Sequence, residues 1–310
     1  MKKILYTIKR HNLSFYFFMT SPPTPLQLER GVKKVKLKLF PFKIYILLVL
    51  LVSCEKPAYR DISPVEDNRI VVDGIITNEM KSHKIILSKI NTVQNDSLKP
   101  VTGAIVQIKT SDTVFNLTEN PVGSGKYITD STTIGLESKI YEIYINYNGN
   151  IISGSDIINP VLPIPIATWT KENNSNLYHF KFICNSYNNI ESAMYILELD
   201  WSNVSGYTNL PSNKNHATLY YYSLQSVDLG ELLGPKLETV LFPIGTKVIE
   251  KKYSLSLAHA EFIRSMLLET QWSGGLFDAP HSNVTSNLKG DAVGFFGASA
   301  VVTREFIITP

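Results

Sequence analysis

The sequence predicts a mainly β protein in two successive regions, the second carrying one amphipathic α-helix. Three observations carry this. Between residues 69 and 158, short runs rich in β-branched and aromatic residues alternate with turn residues, the strand signature. One of them, Tyr141-Glu142-Ile143-Tyr144-Ile145-Asn146-Tyr147, leads directly into Asn148-Gly149. That dipeptide is a strong hairpin signal, because both positions of the tight turn need positive φ. Beyond Pro160, Pro163 and Pro165, similar short runs resume and are interrupted by a single stretch at helical spacing.

Taken in order, the first region predicts strands over 69–76, 83–88, 104–109, 113–117, 126–129, 140–147 and 150–153. Seven short strands in so few residues fit a small Ig-like β-sandwich over 69–158. Pro100-Val101-Thr102-Gly103-Ala104-Ile105-Val106 resembles the strand entry of transthyretin-like sandwiches. Proline has no backbone N–H to give a sheet, so 159–166 reads as an extended linker. The C-terminal region, 167–310, predicts strands over 178–184, 193–199, 218–222, 247–253, 292–296 and 301–308. A helix is expected near 257–271: Ser256 can cap it, Ala260, Ile263 and Leu267 share one face, and Gly274-Gly275 ends it.

The leader has its own logic. Ile44 to Val52 contains no charge and follows Lys33, Lys34, Lys36, Lys38 and Lys43. Nine residues span only about 14 Å as a helix, against roughly 30 Å of bilayer core, so a transmembrane anchor is not expected. Basic segment, short apolar segment and Leu51-Val52-Ser53-Cys54 resemble a lipobox, in which Leu51, Val52 and Ser53 are recognised by the signal peptidase and Cys54 carries the lipid. Residues 1–53 are then removed. Residues 1–31 do not read like the start of a signal peptide, and a later translation start near Val32 or Val35 fits the layout better. Residues 54–68 read as a polar tether.

Charge follows the same division. Residues 1–53 hold ten of the 30 Lys/Arg and one of the 27 Asp/Glu, leaving 20 against 26, or −6, for residues 54–310. That removes the compositional support for a nucleic-acid partner, which needs a basic surface. With Cys54 lipidated, Cys184 has no disulfide partner and is expected as a small buried hydrophobe. No pair of histidines has the spacing of a helical zinc site, and Gly123-Ser124-Gly125-Lys126 lacks the earlier glycine of a phosphate loop, so it reads as a hairpin turn. Asp278 and His281 could form a metal or acid–base pair, but a solvated loop explains them. No cofactor, metal or catalytic residue is called for. Trp201, Tyr207, Tyr220, Tyr222 and Trp272 form a candidate stacking surface for a glycan or peptide ligand.

Several blocks together resemble the envelope lipoproteins grouped as domain of unknown function 4249. They are the lipobox with its tether, Ile70-Val71-Val72-Asp73-Gly74-Ile75-Ile76-Thr77-Asn78, and Pro100 to Val106 with Gly125-Lys126-Tyr127. The most specific is the C-terminal set Tyr253-Ser254-Leu255-Ser256, Asn283 to Leu288 and Val293-Gly294-Phe295-Phe296-Gly297-Ala298-Ser299. The resemblance implies an outer-membrane lipoprotein, on the periplasmic face or the cell surface, beside a TonB-dependent transporter. It carries over no catalytic residue. It reads Gly294 and Gly297 as allowing close strand contact and Asn287 as fixing a turn. The function expected is therefore non-enzymatic: an accessory that captures substrate for the transporter, or else a structural or adhesive spacer. A hydrolase with a site assembled from distant residues is the third class.

Overall fold

The computed structural model describes residues 68–91, 97–228, 232, 239–272 and 283–310. The first-region strands are β1 (Ile70–Thr77), β2 (Lys84–Lys89), β3 (Ile105–Lys109), β4 (Val114–Glu119), β5 (Lys126–Ile128), β6 (Ile140–Tyr147) and β7 (Asn150–Ile157). After the prolines come β8 (Thr168–Lys171), β9 (Leu177–Phe182) and β10 (Ser192–Asp200), a one-turn helix α1 (Ser212–Asn215), and β11 (His216–Ser223). The chain continues through β12 (Phe242–Pro243), β13 (Lys247–Leu255), the helix α2 (Leu257–Leu268), β14 (Leu288–Lys289), β15 (Ala292–Ser299) and β16 (Val301–Ile307).

Nine strands form one sheet in the order β14-β7-β6-β3-β4-β5-β2-β1-β15. It curls into a nearly closed, barrel-like sheet. The expected hairpin is present: Tyr147 pairs with Asn150, and Asn148 and Gly149 take φ of 51° and 85°. Period-two patterning sends Val72, Ile76, Ile85, Leu87, Ile108, Ile143, Ile145 and Phe296 into one core. β15 lies parallel to β1, Ile70 opposite Ala292 through Thr77 opposite Ser299. At Gly294 φ is +99°, and a Cβ there would overlap the Val72 carbonyl oxygen, so the close contact expected of this glycine is real.

The last gap, between β15 and β7, is bridged by side chains. Asn287 Nδ2 donates to Ser155 O at 2.9 Å and to Phe296 O at 2.8 Å, while its Oδ1 accepts from Phe296 N at 3.2 Å. Asp156 Oδ2 accepts from Ala298 N at 2.8 Å. Asn287 thus joins two strands, a larger role than the turn expected of it.

Sheet membership crosses the boundary read at 159–166. β14 and β15 lie C-terminal to it and yet complete the barrel, because β1 and β7 would otherwise leave unpaired edges. The remaining strands make two further sheets, β11-β10-β13-β16 and β12-β9-β8. Their facing side chains, including Tyr178, Tyr195, Leu197, Leu199, Phe242 and Val248, form a second core. Trp169 stacks on Phe306 there at 5.6 Å.

The proline segment is held in place by side chains that compensate for its missing donors. Lys252, 1% exposed, pairs with Glu191 and donates to Leu162 O at 3.0 Å and Pro163 O at 3.4 Å. Ser254 Oγ donates to Asn159 O at 2.6 Å. β8, β12 and β14 have too few residues for an alternating pattern, which is why the sequence does not announce them. α2 starts as expected, with Ser256 Oγ accepting from His259 N at 3.0 Å. It ends at Leu268 with Glu269 as its cap, short of Gly274-Gly275, which lie outside the described residues.

Candidate functional site

The outer face of the four-stranded sheet can be mapped from its register. Antiparallel pairing aligns Thr218, Glu198, Ile249 and Glu305 in one cross-strand row, then Tyr220, Ile196, Lys251 and Thr303, then Tyr222, Met194, Tyr253 and Val301. Neighbouring strands lie about 4.8 Å apart, so each row is a set of touching side chains. Three tyrosines thus gather around an aliphatic centre, with Glu198 and Lys251 beside them.

Tyr220 is 47% exposed, whereas Tyr222 is half-buried and Tyr253 is buried. Burial pushes the Tyr222 hydroxyl up to about 12, with Tyr220 adding to the effect. Burial also raises Tyr253 to about 12, reinforced by Glu79, Glu198 and Tyr220. The Tyr222 and Tyr253 hydroxyls are therefore neutral near pH 7, able to donate and accept, and none of the three tyrosine hydroxyls has a hydrogen-bond partner among the described residues. Lys251 Nζ lies 3.8 Å from Glu79 Oε1, which ties this face to the loop after β1.

Of the five aromatics read as a stacking surface, Tyr220 and Tyr222 are brought together on this face. Trp272 joins them at its border: it packs with Tyr222 and Met194 on the cluster of Leu224, Leu255, Ile263 and Leu267. Trp201 and Tyr207 are elsewhere. Trp201 falls on the inward phase of β10, is buried, and donates from Nε1 to Lys214 O at 3.1 Å. Tyr207 accepts through its carbonyl from Asn215 Nδ2 at 3.2 Å. The two order the loop between β10 and α1. Sequence reasoning missed Tyr253, Met194 and Lys251. Alternation does place Lys251 and Tyr253 on one side of β13, but cannot say which side faces out.

A second cluster sits where α2 meets the barrel seam. His259 stacks on Phe295 at 4.7 Å, and its Nδ1 lies 3.9 Å from Asp156 Oδ2 without a hydrogen-bond partner. A Cβ on Gly297 would come within 2.7 Å of His259 Cε1, so this glycine makes room for the imidazole; the expected strand contact is instead made by Gly294. Burial raises the Asp156 carboxyl, against hydrogen bonds from Ser256, Ala298 and Ile157, and it lowers the His259 imidazole to about 4. Serine, histidine and aspartate meet here, but the serine hydroxyl bonds the carboxylate and accepts from the His259 backbone N–H. The ring-to-hydroxyl bond that activates a nucleophile is not part of this arrangement.

Cys184 is half-buried, its Sγ 4.0 Å from Tyr222 O. Among the described residues, no three His, Cys, Asp or Glu are grouped to hold a metal ion, and no helix is long and apolar enough to cross a membrane. Leu51, Val52, Ser53 and Cys54 lie outside the described residues, as do Asp278 and His281.

Fold and site define a class: a mainly β, barrel-based protein that presents a tyrosine-lined sheet face. The chain belongs to the family described as Domain of unknown function (DUF4249), whose model matches residues 55–305. No curated protein matches it.

Proposed function

We propose that this is a lipid-anchored, non-enzymatic envelope protein that captures substrate for a TonB-dependent outer-membrane transporter. The observation that carries the anchor is Leu51-Val52-Ser53-Cys54 at the end of a short apolar run behind five lysines. Residues 54–68 then tether the folded part, on either face of the outer membrane. Anchoring raises its effective concentration at a neighbouring transporter without new contacts. A single acyl chain holds a membrane only marginally, so the durable anchor has more than one. Tyr220, exposed, with the half-buried Tyr222 beside it, supplies a surface suited to a glycan or peptide. In this reading the barrel is the counterpart of an Ig-like or transthyretin-like sandwich, with the two sides of the curved sheet as its layers.

The test has two parts. Metabolic labelling with a tagged fatty acid is expected to mark the wild type and to fail for Cys54→Ala; equal labelling of both overturns the anchor. Affinity purification from gently solubilised outer membranes is expected to recover a TonB-dependent transporter in stoichiometric amount. Recovery of the protein without one, after crosslinking as well, replaces the accessory role with that of a structural or adhesive spacer.

A further inference from the structure

The strand pairings of the barrel determine which loops share each of its ends. At one end β1, β3, β5, β7 and β15 begin and β2, β4 and β6 finish, because all neighbours are antiparallel except β1 and β15. The chain enters the fold here, at Ile70.

This end sets exposed apolar side chains beside lysines. Val122, in the β4–β5 turn, is 89% exposed, and Leu98 and Ile105, either side of the entry to β3, are 64% and 59% exposed. Lys89 stands opposite Ile70, its backbone N–H donates to Lys99 O at 2.9 Å, and Lys126 opens β5. All three lysine side chains are exposed, and none is within ion-pair distance of an acid among the described residues. The acids at this end are Asp291 and Glu119. Glu119 is turned onto the backbone, accepting from Gly125 N at 2.9 Å and Gly103 N at 3.3 Å. Tyr127 Oη accepts from Ala104 N and donates to Val101 O, each at 3.0 Å. These bonds fix both loops in advance, so docking has little ordering entropy left to lose. At the opposite end Lys81 pairs with Glu79 and Lys139 with Asp112, while Asp130 and Glu137 are exposed.

We infer that the end bearing Val122 docks on an anionic membrane surface, its aliphatic side chains entering the headgroup boundary and its lysines meeting lipid phosphates. The inference rests on the lipid anchor proposed above. Position selects the occupant. Cys54 precedes Ile70 by sixteen residues, and a flexible segment of that length spans roughly 20–25 Å, so the anchor keeps this end near the bilayer. Chemistry agrees, because aliphatic side chains flanked by cations suit an anionic interface, and a basic patch strengthens a lipid anchor. Docking also gives the tyrosine face a direction. Lys251 in that face reaches Glu79 at the opposite end of the barrel. The face is thereby held off the lipid by up to about 25 Å, the length of an eight-residue strand such as β1.

Fluorescence quenching tests this on the full chain, purified from membranes and reconstituted into vesicles. A dansyl-bearing amino acid replaces Val122 or, separately, Leu136, which is exposed at the opposite end. With doxyl-labelled lipids in vesicles containing phosphatidylglycerol, quenching is expected at position 122 and not at position 136. Vesicles of phosphatidylcholine alone, or about 1 M salt, where the Debye length is about 3 Å, weaken it several-fold. Joint Lys89→Glu, Lys99→Glu and Lys126→Glu abolishes it, and because all three side chains are exposed the fold persists. Flotation with the vesicles in the high salt reads the anchor separately. Absence of quenching at position 122 overturns the docking face, and flotation then shows that the anchor stands without it. Quenching at position 122 without flotation removes the anchor and keeps the face. Equal quenching at both positions, or quenching that the charge reversals leave unchanged, overturns the inference, because the contact then lies elsewhere.

Discussion

The barrel and the adjoining pair of sheets handle exposed backbone in opposite ways. In the barrel, β15 returns from the far end of the chain to pair with β1, and Asn287 and Asp156 bridge the remaining gap to β7. Its core is built mostly of aliphatic side chains. In the second module, among the described residues, the outer side of β11 is met only near its C-terminal end, by residues 184–188, and charge is buried inside: Lys252 with Glu191, and Glu250 with Arg304. The barrel is thus closed by a few side-chain bonds at one seam. The module is held to the proline segment by charge and leaves Tyr220 exposed on its outer face.

Breaking the module's interior gives the largest expected effect. Lys252→Ala leaves Glu191 without its partner and strips the Leu162 and Pro163 carbonyls of their donor, a loss of about 3–5 kcal/mol, read from urea unfolding. In the barrel, Gly294→Ala forces a Cβ against Val72 at a φ that L-residues avoid. It is expected to cost about 3 kcal/mol, with the amides of β1 and β15 exchanging faster than those of β10 and β13. Asn287→Ala removes three hydrogen bonds across the seam and is expected to cost about 1–3 kcal/mol. Faster exchange confined to β7 and β15 would locate the loss there.

Acid sharpens the comparison at the point where α2 meets the seam. The His259 imidazole is depressed to about 4 by burial, so the unfolded chain takes up its proton first. The stability it contributes is present above about pH 6.5 and is lost as pH falls from there toward 4. Asp156, raised by burial, pulls the other way as it protonates. The difference between wild type and His259→Phe therefore isolates the histidine, and the variant's stability should fall less over that interval. The smallest effect belongs to the outer face: Tyr220→Ala should change stability by less than about 0.5 kcal/mol, because the side chain is largely exposed.

Much of this was legible in the residues. Alternation located the longer strands, Asn148-Gly149 the hairpin, and Ser256 the start of α2. β7 was read short because Ser153-Gly154-Ser155-Asp156 has no apolar alternation, although Asp156 is buried to bridge the seam. Of the candidate surface, Tyr220 and Tyr222 were legible because residues two apart on a strand share a side. Trp201 was misassigned because aromatic character does not distinguish a core side chain from an exposed one.

What the sequence determined by itself is local: which stretches are strands, where the turns lie, where α2 begins, and the basic–apolar–cysteine layout of the leader. These depend on neighbours within a few residues, whose periodicity and φ preferences are written in order along the chain. Only the tertiary structure decided that β15 belongs with β1, that Asn287 closes a barrel, that Lys252 serves the proline segment, and that Tyr253 stands beside Tyr220 and Tyr222. Each joins residues far apart in sequence, and a strand's pattern says that one face must be covered without saying by what.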